Sequence, residues 1–314
     1  LIKNYVEGND GVEKLPTEYR DGEVFATNVA KTRAFLKVQD GCDNFCTYCI
    51  VPYLRGRSRS RKIEDVVAEA KTLTSFKEIV LTGVNISDYK ADGGDLTALA
   101  EALAFLPMRK RFGSLEDRVI TQELLFAMKK SNFCPHFHLS LQSGSDGVLK
   151  KMNRRYTAEQ FFESVQLIRK TFPDVGITTD IIVGFPTETK EQFEESKAFA
   201  LKVGFDDVHV FPFSPRAGTI AARMTPIDGK EMDRRVAEMT AVKQALKAQS
   251  AERQIGTVRE VLTEESKGDY VVGYTPNYTK VYIPKKAVEK NKILKVFITK
   301  QFEDGVLGDI INEE

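Results

Sequence analysis

The chain has 314 residues, with 46 Lys and Arg against 45 Asp and Glu for a net charge of +1. That length suits one large domain plus a small one, and no apolar run is long enough to span a membrane. A near-neutral charge exerts no global pull on nucleic acid, so any RNA contact must come from local basic patches. Four cysteines, Cys42, Cys46, Cys49 and Cys134, with three of them clustered, indicate a reducing compartment, the cytoplasm, and a metal site rather than a disulfide framework. The opening Leu-Ile-Lys-Asn is not a natural initiator, and a fragment of a longer protein is expected.

Residues 1–29 are polar and carry Gly8, Gly11, Pro16 and Gly22, the texture of a linker or arm. Residues 33–38 alternate and read as a strand feeding the cysteine loop. A helix is expected over 63–76, with Ile63, Val66, Val67, Ala70 and Leu73 on one face, then a strand over 77–83. The alternation continues with a helix over 96–105, a strand over 111–115, a helix over 121–129 and a strand over 136–141. Two helices precede the next strand, and the second opens on a capping box, Thr157 with Gln160. A strand over 175–183 leads to a helix capped by Thr189 and Gln192 and closed by Gly204. The sixth strand is 207–213, and a long helix covers 228–254.

Six strand-then-helix units call for parallel strands with right-handed crossovers. Six do not complete an eight-fold barrel. After Gln254 the texture changes to short runs of Val, Ile, Tyr and Thr broken by Gly, Pro and Asn, over 257–262, 270–274, 279–283 and 294–299. This reads as a small five-stranded β-barrel. The domain division is therefore 30–254 and 255–314.

The chemistry concentrates in Cys42-Asp-Asn-Phe-Cys46-Thr-Tyr-Cys49. Three thiolates at that spacing turn toward one point and suit an iron–sulfur cluster or zinc. With three cysteines in the loop, one metal position stays open for a ligand. Phe45 and Tyr48 between them shield a cluster and flank whatever binds it. A structural zinc knuckle is the alternative. It needs a fourth ligand, and His136, His138 and His209 all lie far along the chain.

This spacing resembles the signature of the radical S-adenosylmethionine (SAM) superfamily, and the following Pro52-Tyr53, Arg55-Gly56 and Ser60-Arg61 narrow the resemblance to the radical-SAM methylthiotransferases. The resemblance implies that the three cysteines hold a 4Fe–4S cluster whose open iron takes the amino and carboxylate groups of SAM. It implies an α/β fold, an open (βα)6 partial TIM barrel, followed by a TRAM domain, an OB-like RNA-binding barrel, here carrying Val272-Gly273-Tyr274 and Gly305-Val-Leu-Gly308. It also implies a second cluster on a preceding domain, tRNA as substrate, and an electron donor such as flavodoxin or ferredoxin; a monomer is expected. The phrases Leu81-Thr-Gly-Val-Asn85 and Cys134-Pro-His-Phe-His138 are similar to the branch acting on threonylcarbamoyladenosine. The alternatives are isopentenyladenosine in tRNA, a ribosomal aspartate, or a non-catalytic RNA-binding module with a structural metal loop.

Ligands of parallel α/β folds sit at the carboxyl ends of the strands. That rule selects Gly83 and Asn85 after the second strand, Glu116 after the third, Gln142 after the fourth and Gly184 after the fifth, and the resemblance implies that they contact SAM, beside Tyr48; for Glu116 a surface glutamate preparing the next helix is the alternative. Ser140 and Asp117 depart from the family pattern, where proline is usual. Cys134 precedes the fourth strand and reads as a buried small hydrophobe. Arg154 and Arg155, in Met152-Asn-Arg-Arg-Tyr156, either meet phosphate or end a helix favourably. In the small barrel, Lys280, Lys285, Lys286, Lys290, Lys292 and Lys295 offer a basic face and Tyr274, Tyr278 and Tyr282 stacking surfaces; an inert barrel with a solvated lysine face is the alternative.

Overall fold

The computed structural model describes residues 32–311 apart from 92, 286 and 287. The arm expected over 1–29 and Lys286 lie outside the described residues.

Strand β1 (Arg33–Lys37) runs into β2 (Gln39–Asp40) and the cysteine loop. Helix α1 (Val51–Arg55) and β3 (Arg59–Ser60), which pairs antiparallel with β2, close that loop from behind. There follow α2 (Ile63–Thr72), β4 (Glu78–Thr82), α3 (Leu96–Ala102), β5 (Arg109–Phe112), β6 (Ser114–Leu115), α4 (Gln122–Lys130) and β7 (His136–Gln142). Then come α5 (Asp146–Lys151), α6 (Ala158–Thr171), β8 (Gly176–Val183), α7 (Lys190–Val203), β9 (Asp207–Pro212) and α8 (Gly229–Glu252). Thr157 and Thr189 both form the expected capping boxes, and Gly204 ends α7 in the left-handed conformation. Helix α2 stops short of the expected 76, at Thr72, because Thr74-Ser75 favours turns over helix.

The strands pair in parallel as β1-β4-β5 and as β6-β7-β8-β9. The third strand of the barrel is thus one run broken at Gly113: its first half pairs with β4 and its second with β7. The order is that of an open six-unit α/β barrel with β1 and β9 as its edges. Its core lies between the strands and the helices and includes Leu36, Leu81, Leu139, Phe161 and Ile181, all fully buried. Each such side chain contributes about 1.5–3 kcal/mol on leaving water.

The opposite faces of the same strands point into the barrel, and in β7 and β8 that face is largely polar. In β7 the outward residues are Phe137, Leu139 and Leu141, and the alternate ones are His136, His138 and Ser140. In β8, Thr178 and Asp180 stand on that inner face. A period of two separates the two faces.

The remaining chain forms β10 (Val258–Lys267), β11 (Tyr270–Tyr274), β12 (Lys280–Pro284), β13 (Ile293–Phe302) and β14 (Gly305–Ile310), a closed barrel in the order β10-β11-β12-β14-β13. It packs around Val261, Val281, Val296, Ile298 and Val306 and is docked beneath the large barrel. Glu78, 1% exposed, joins Arg33 at 2.9 Å and Arg111 at 3.2 Å. Arg33 reaches on to Glu264 and to the Tyr278 hydroxyl, and Arg111 donates to the Pro276 carbonyl at 3.2 Å.

This joint corrects the reading of the tyrosines as free stacking surfaces. Tyr278 stacks on His136 at 4.6 Å and on Tyr274 at 4.8 Å, with Arg33 and Arg111 over its ring. Tyr282 is fully buried between Tyr270 and Phe302. Tyr282 serves packing, while Tyr274 and Tyr278 are half-buried at the joint and line the cavity there. Among the predicted lysines, Lys280 pairs with Asp304 at 2.9 Å and Lys292 with Glu289 at 3.2 Å; Lys285, Lys290, Lys292 and Lys295 are all exposed.

Candidate cofactor site at the barrel mouth

The cysteine loop leaves β2 at the carboxyl end of the first strand. Gly41 makes the turn at φ +72°, and a Cβ there would stand 1.9 Å from the Arg57 carbonyl oxygen, so only glycine fits. Gln39, fully buried, ties the turn together: its Nε2 donates to the Gly41 carbonyl at 2.8 Å and to Ser58 Oγ at 2.9 Å, and its Oε1 accepts from the Asn85 backbone N–H at 2.8 Å. The far side of the loop is pinned to the end of α5. Thr47 bonds the carbonyls of Met152 and Lys151 through its N–H and its hydroxyl, and Asn153 donates to the carbonyl of Phe45.

Two of the three sulfurs meet a side-chain donor. Asn85 Nδ2 stands 3.7 Å from Cys42 Sγ, and Arg154 Nη1 stands 3.6 Å from Cys46 Sγ. Burial pushes the Cys42 thiol up to about 11 and raises Cys49 as well. A buried thiol with a raised pKa ionises only when a metal replaces its proton. Donors aimed at sulfur stabilise that ionised form. Three clustered thiols, two of them facing a side-chain donor, are a donor set that fits an iron–sulfur cluster.

The other predicted residues fall around this loop. Tyr48 packs on Phe185 at 6.3 Å, beside Val148, Met152 and Ala221, and burial raises its hydroxyl well above the ordinary phenol value. Glu116 lies against the loop, accepting from Asn44 at 2.5 Å and Arg118 at 2.8 Å and paired with Arg154 at 3.2 Å. Its carboxylate is thus already engaged by three donors. Gln142 ends β7 half-buried at φ +67°. Gly83 and Gly184 have packing reasons for lacking a side chain: a Cβ at Gly83 would meet Gln39 and Ile86 within 2.9 Å, and one at Gly184 would meet Met232 at 2.4 Å. Cys134 is buried behind β5, its N–H on the Lys110 carbonyl at 2.7 Å and its sulfur 3.8 Å from Glu78, away from the loop as expected.

Arg154 does end a helix, its backbone N–H on the Leu149 carbonyl of α5 at 2.9 Å, but sequence reasoning misses where its side chain goes. It lies across the mouth, stacked on Tyr156 at 4.9 Å, donating to the Ser140 carbonyl at 3.1 Å and reaching Cys46 and Glu116. Burial disfavours its charge, but Tyr156, Tyr48, Cys46 and Glu116 raise its pKa further than burial lowers it. Sequence reasoning also passes over Gln39 and Asn44; their position beside the first two cysteines is the available signal.

Below the mouth, between the large barrel and the small one, lies a half-open chamber of about 720 Å³, lined by Phe35, Val80 and Phe211 on one side and by Tyr274, Tyr278 and Lys280 on the other. Asp180 holds His138 at 3.1 Å and His209 at 3.3 Å. Burial opposes the Asp180 charge, but the two imidazoles more than offset it and hold the carboxyl well below the usual range. No helix among the described residues is long and apolar enough to cross a membrane.

Comparison with known proteins agrees with this geometry. Residues 36–200 match the Radical SAM superfamily. The chain is 38% identical over 288 residues to the threonylcarbamoyladenosine tRNA methylthiotransferase MtaB of Chlamydia pneumoniae, covering 90% of this chain and 68% of the relative. It is equally 38% identical to MtaB of Bacillus subtilis, covering 90% and 67%. The tRNA-2-methylthio-N(6)-dimethylallyladenosine synthase of Geobacillus thermodenitrificans is 38% identical over 329 residues, covering all of this chain and 60% of the relative. Among solved structures, coproporphyrinogen III oxidase (HemN) of Escherichia coli, described as a radical SAM enzyme, superposes with a TM-score of 0.52 at 14% identity, over 78% of this chain and 67% of that one. The partial-barrel α/β fold is therefore shared well beyond detectable sequence similarity. The radical SAM methyltransferase TsrM of Kitasatospora setae, described with a 4Fe–4S cluster bound, superposes with a TM-score of 0.51 at 14% identity, over 60% of this chain and 35% of that one. The chain belongs to the radical-SAM methylthiotransferases.

Proposed function

We propose that this chain is the catalytic part of a tRNA methylthiotransferase acting on threonylcarbamoyladenosine, with residues 30–254 as the radical-SAM unit and 255–314 as a TRAM-like RNA-binding unit. One observation carries the chemistry: Arg154 and Asn85 aim donors at the sulfurs of Cys46 and Cys42 across the barrel mouth.

Cys42, Cys46 and Cys49 would hold the cluster, which supplies the electron for reductive cleavage of SAM. The chain's own residues do the rest. Asn85 and Arg154 stabilise the thiolates, and the Arg154 charge offsets the negative charge of the loaded site. Tyr48, Asn85, Glu116 and Gln142 line the place where SAM would lie, and Gly83 and Gly184 let the strand ends close around it. Phe185 and Tyr48 exclude water from the mouth, which strengthens every polar contact within it. A flavodoxin or ferredoxin is the expected electron donor and a monomer the expected state.

Two threonylcarbamoyladenosine enzymes stand among the relatives, which favours that base. The dimethylallyladenosine synthases match at the same identity and support the second reading. Anaerobic reconstitution, followed by mass spectrometry of nucleosides from tRNAs carrying either base, separates the two. Iron incorporation and 5′-deoxyadenosine are expected. A reconstituted protein without iron or visible absorbance would overturn the proposal and favour a non-catalytic RNA-binding module.

A further inference from the structure

We propose a second, mononuclear metal site inside the chamber, with His138, Asp180 and His209 as ligands for a divalent first-row ion of the zinc class. These three side chains present ligand atoms that all lie within 4.8 Å of one another. They come from three adjacent parallel strands, β7, β8 and β9, and strand register brings them together. Asp180 is the Cα partner of His209, and Thr178, two residues earlier, is the partner of His138.

The two imidazoles meet opposite oxygens of one carboxylate: His138 Nε2 lies 3.1 Å from Asp180 Oδ2, and His209 Nδ1 lies 3.3 Å from Asp180 Oδ1. One ligand atom of each residue lies within 4.8 Å of the others, so small side-chain shifts bring all three onto one ion. An ion entering between them would replace the protons that now link these atoms.

A supporting shell is present. His138 Nδ1 is 2.9 Å from Thr178 Oγ1, so the imidazole is oriented with Nε2 toward Asp180. Metal-bound histidines are held in this way through their other nitrogen. Two imidazoles and one carboxylate favour ions of intermediate softness over calcium or magnesium. Three protein ligands leave at least one position open, and it faces the chamber of about 720 Å³. His209 is half exposed on its way in, which gives the ion a path. The site is independent of the cysteine loop: its ligands lie on the inner faces of the strands, and no thiol belongs to the group.

The test separates the two sites by removing the thiolates. In full-length protein carrying Cys42→Ser, Cys46→Ser and Cys49→Ser, Co2+ titration should show one equivalent bound, with weak visible ligand-field bands and no sulfur-to-metal charge transfer. Adding His209→Ala or Asp180→Asn should weaken that binding at least tenfold, and Thr178→Val should weaken it about tenfold. X-ray absorption of the Zn2+-loaded parent should show two imidazoles and oxygen. A folded parent that binds no cobalt, equal affinity after His209→Ala, or a zinc shell without imidazole would each overturn the site.

Discussion

Arg154 holds its Nη1 3.6 Å from the sulfur of Cys46, although 108 residues separate them in sequence. The same guanidinium is 3.2 Å from Glu116. One cation thus bridges the cysteine loop and the end of the third strand, and removing it alters the sulfur and leaves a buried carboxylate short of a partner.

Arg154→Gln is therefore expected to lower cluster retention about 10–100-fold against a chelator. It should also move the cluster's reduction potential to a more negative value, because a positive charge near the cluster favours the reduced state. Arg154→Lys should rescue little, since a point charge cannot serve sulfur, carboxylate and carbonyl together. Equal potentials and equal chelator sensitivity in wild type and Arg154→Gln would show that the contact is incidental.

Replacing any one of Cys42, Cys46 or Cys49 by alanine should abolish iron binding and 5′-deoxyadenosine formation. Cys134→Ala should keep both, at a stability cost of about 1 kcal/mol for the poorer packing. Iron analysis and visible absorbance read the difference, and equal losses in Cys134→Ala and Cys42→Ala would remove the assignment.

Gly41→Ala tests how the loop is shaped. The left-handed backbone alone costs about 1–2 kcal/mol for an alanine, and the Cβ would overlap the Arg57 carbonyl. Thermal denaturation should show a lower Tm together with reduced iron uptake. A variant with wild-type iron content and Tm would mean that the loop tolerates another path.

The joint beneath the barrel gives a pH dependence. Burial pushes Glu78 up, but Arg111 and Arg33 together hold it below its ordinary value. Its stabilising contribution is therefore complete above about pH 4.3, the unfolded-state value, and is lost as pH falls through the lower folded value. Glu78→Gln should cost about 3–5 kcal/mol at neutral pH by leaving the buried Arg111 without a carboxylate and Arg33 with Glu264 alone. Chemical denaturation across pH 3–7, roughly the range bracketing that value, should show the variant's penalty shrinking at the acid end. A penalty independent of pH would contradict this account.

RNA binding is expected to depend on the exposed Lys285, Lys290 and Lys295 rather than on the tyrosines. Charge reversal at Lys285 and Lys290 should weaken tRNA binding and reduce its salt slope, by about 0.7–0.9 for each phosphate that a lysine no longer neutralises. Deleting the small barrel outright is a poorer test, since it would also expose the Arg33–Glu78–Arg111 joint. Unchanged affinity and slope after charge reversal would place the tRNA elsewhere.

The strand-and-helix alternation, the two capping boxes, the Gly204 stop and the cysteine loop are all legible along the chain. Each depends on neighbours a few residues apart: a period of two or 3.6, a side chain reaching its own backbone, three thiols in one turn. What the sequence cannot decide is which distant side chains share a space. Arg154 reads as a helix end or a phosphate contact because only the return of the chain after α5 carries it to Cys46. Tyr274 and Tyr278 read as stacking surfaces because docking of the second barrel, not their local pattern, places them on His136, Arg33 and Arg111. His138, Asp180 and His209 look like unrelated polar residues in three strands until parallel register sets them side by side. Local periodicity reports which face of a strand a residue occupies; only the closing of the barrel decides what stands opposite, because that depends on strand register and crossover geometry, which are set by residues far apart in the chain.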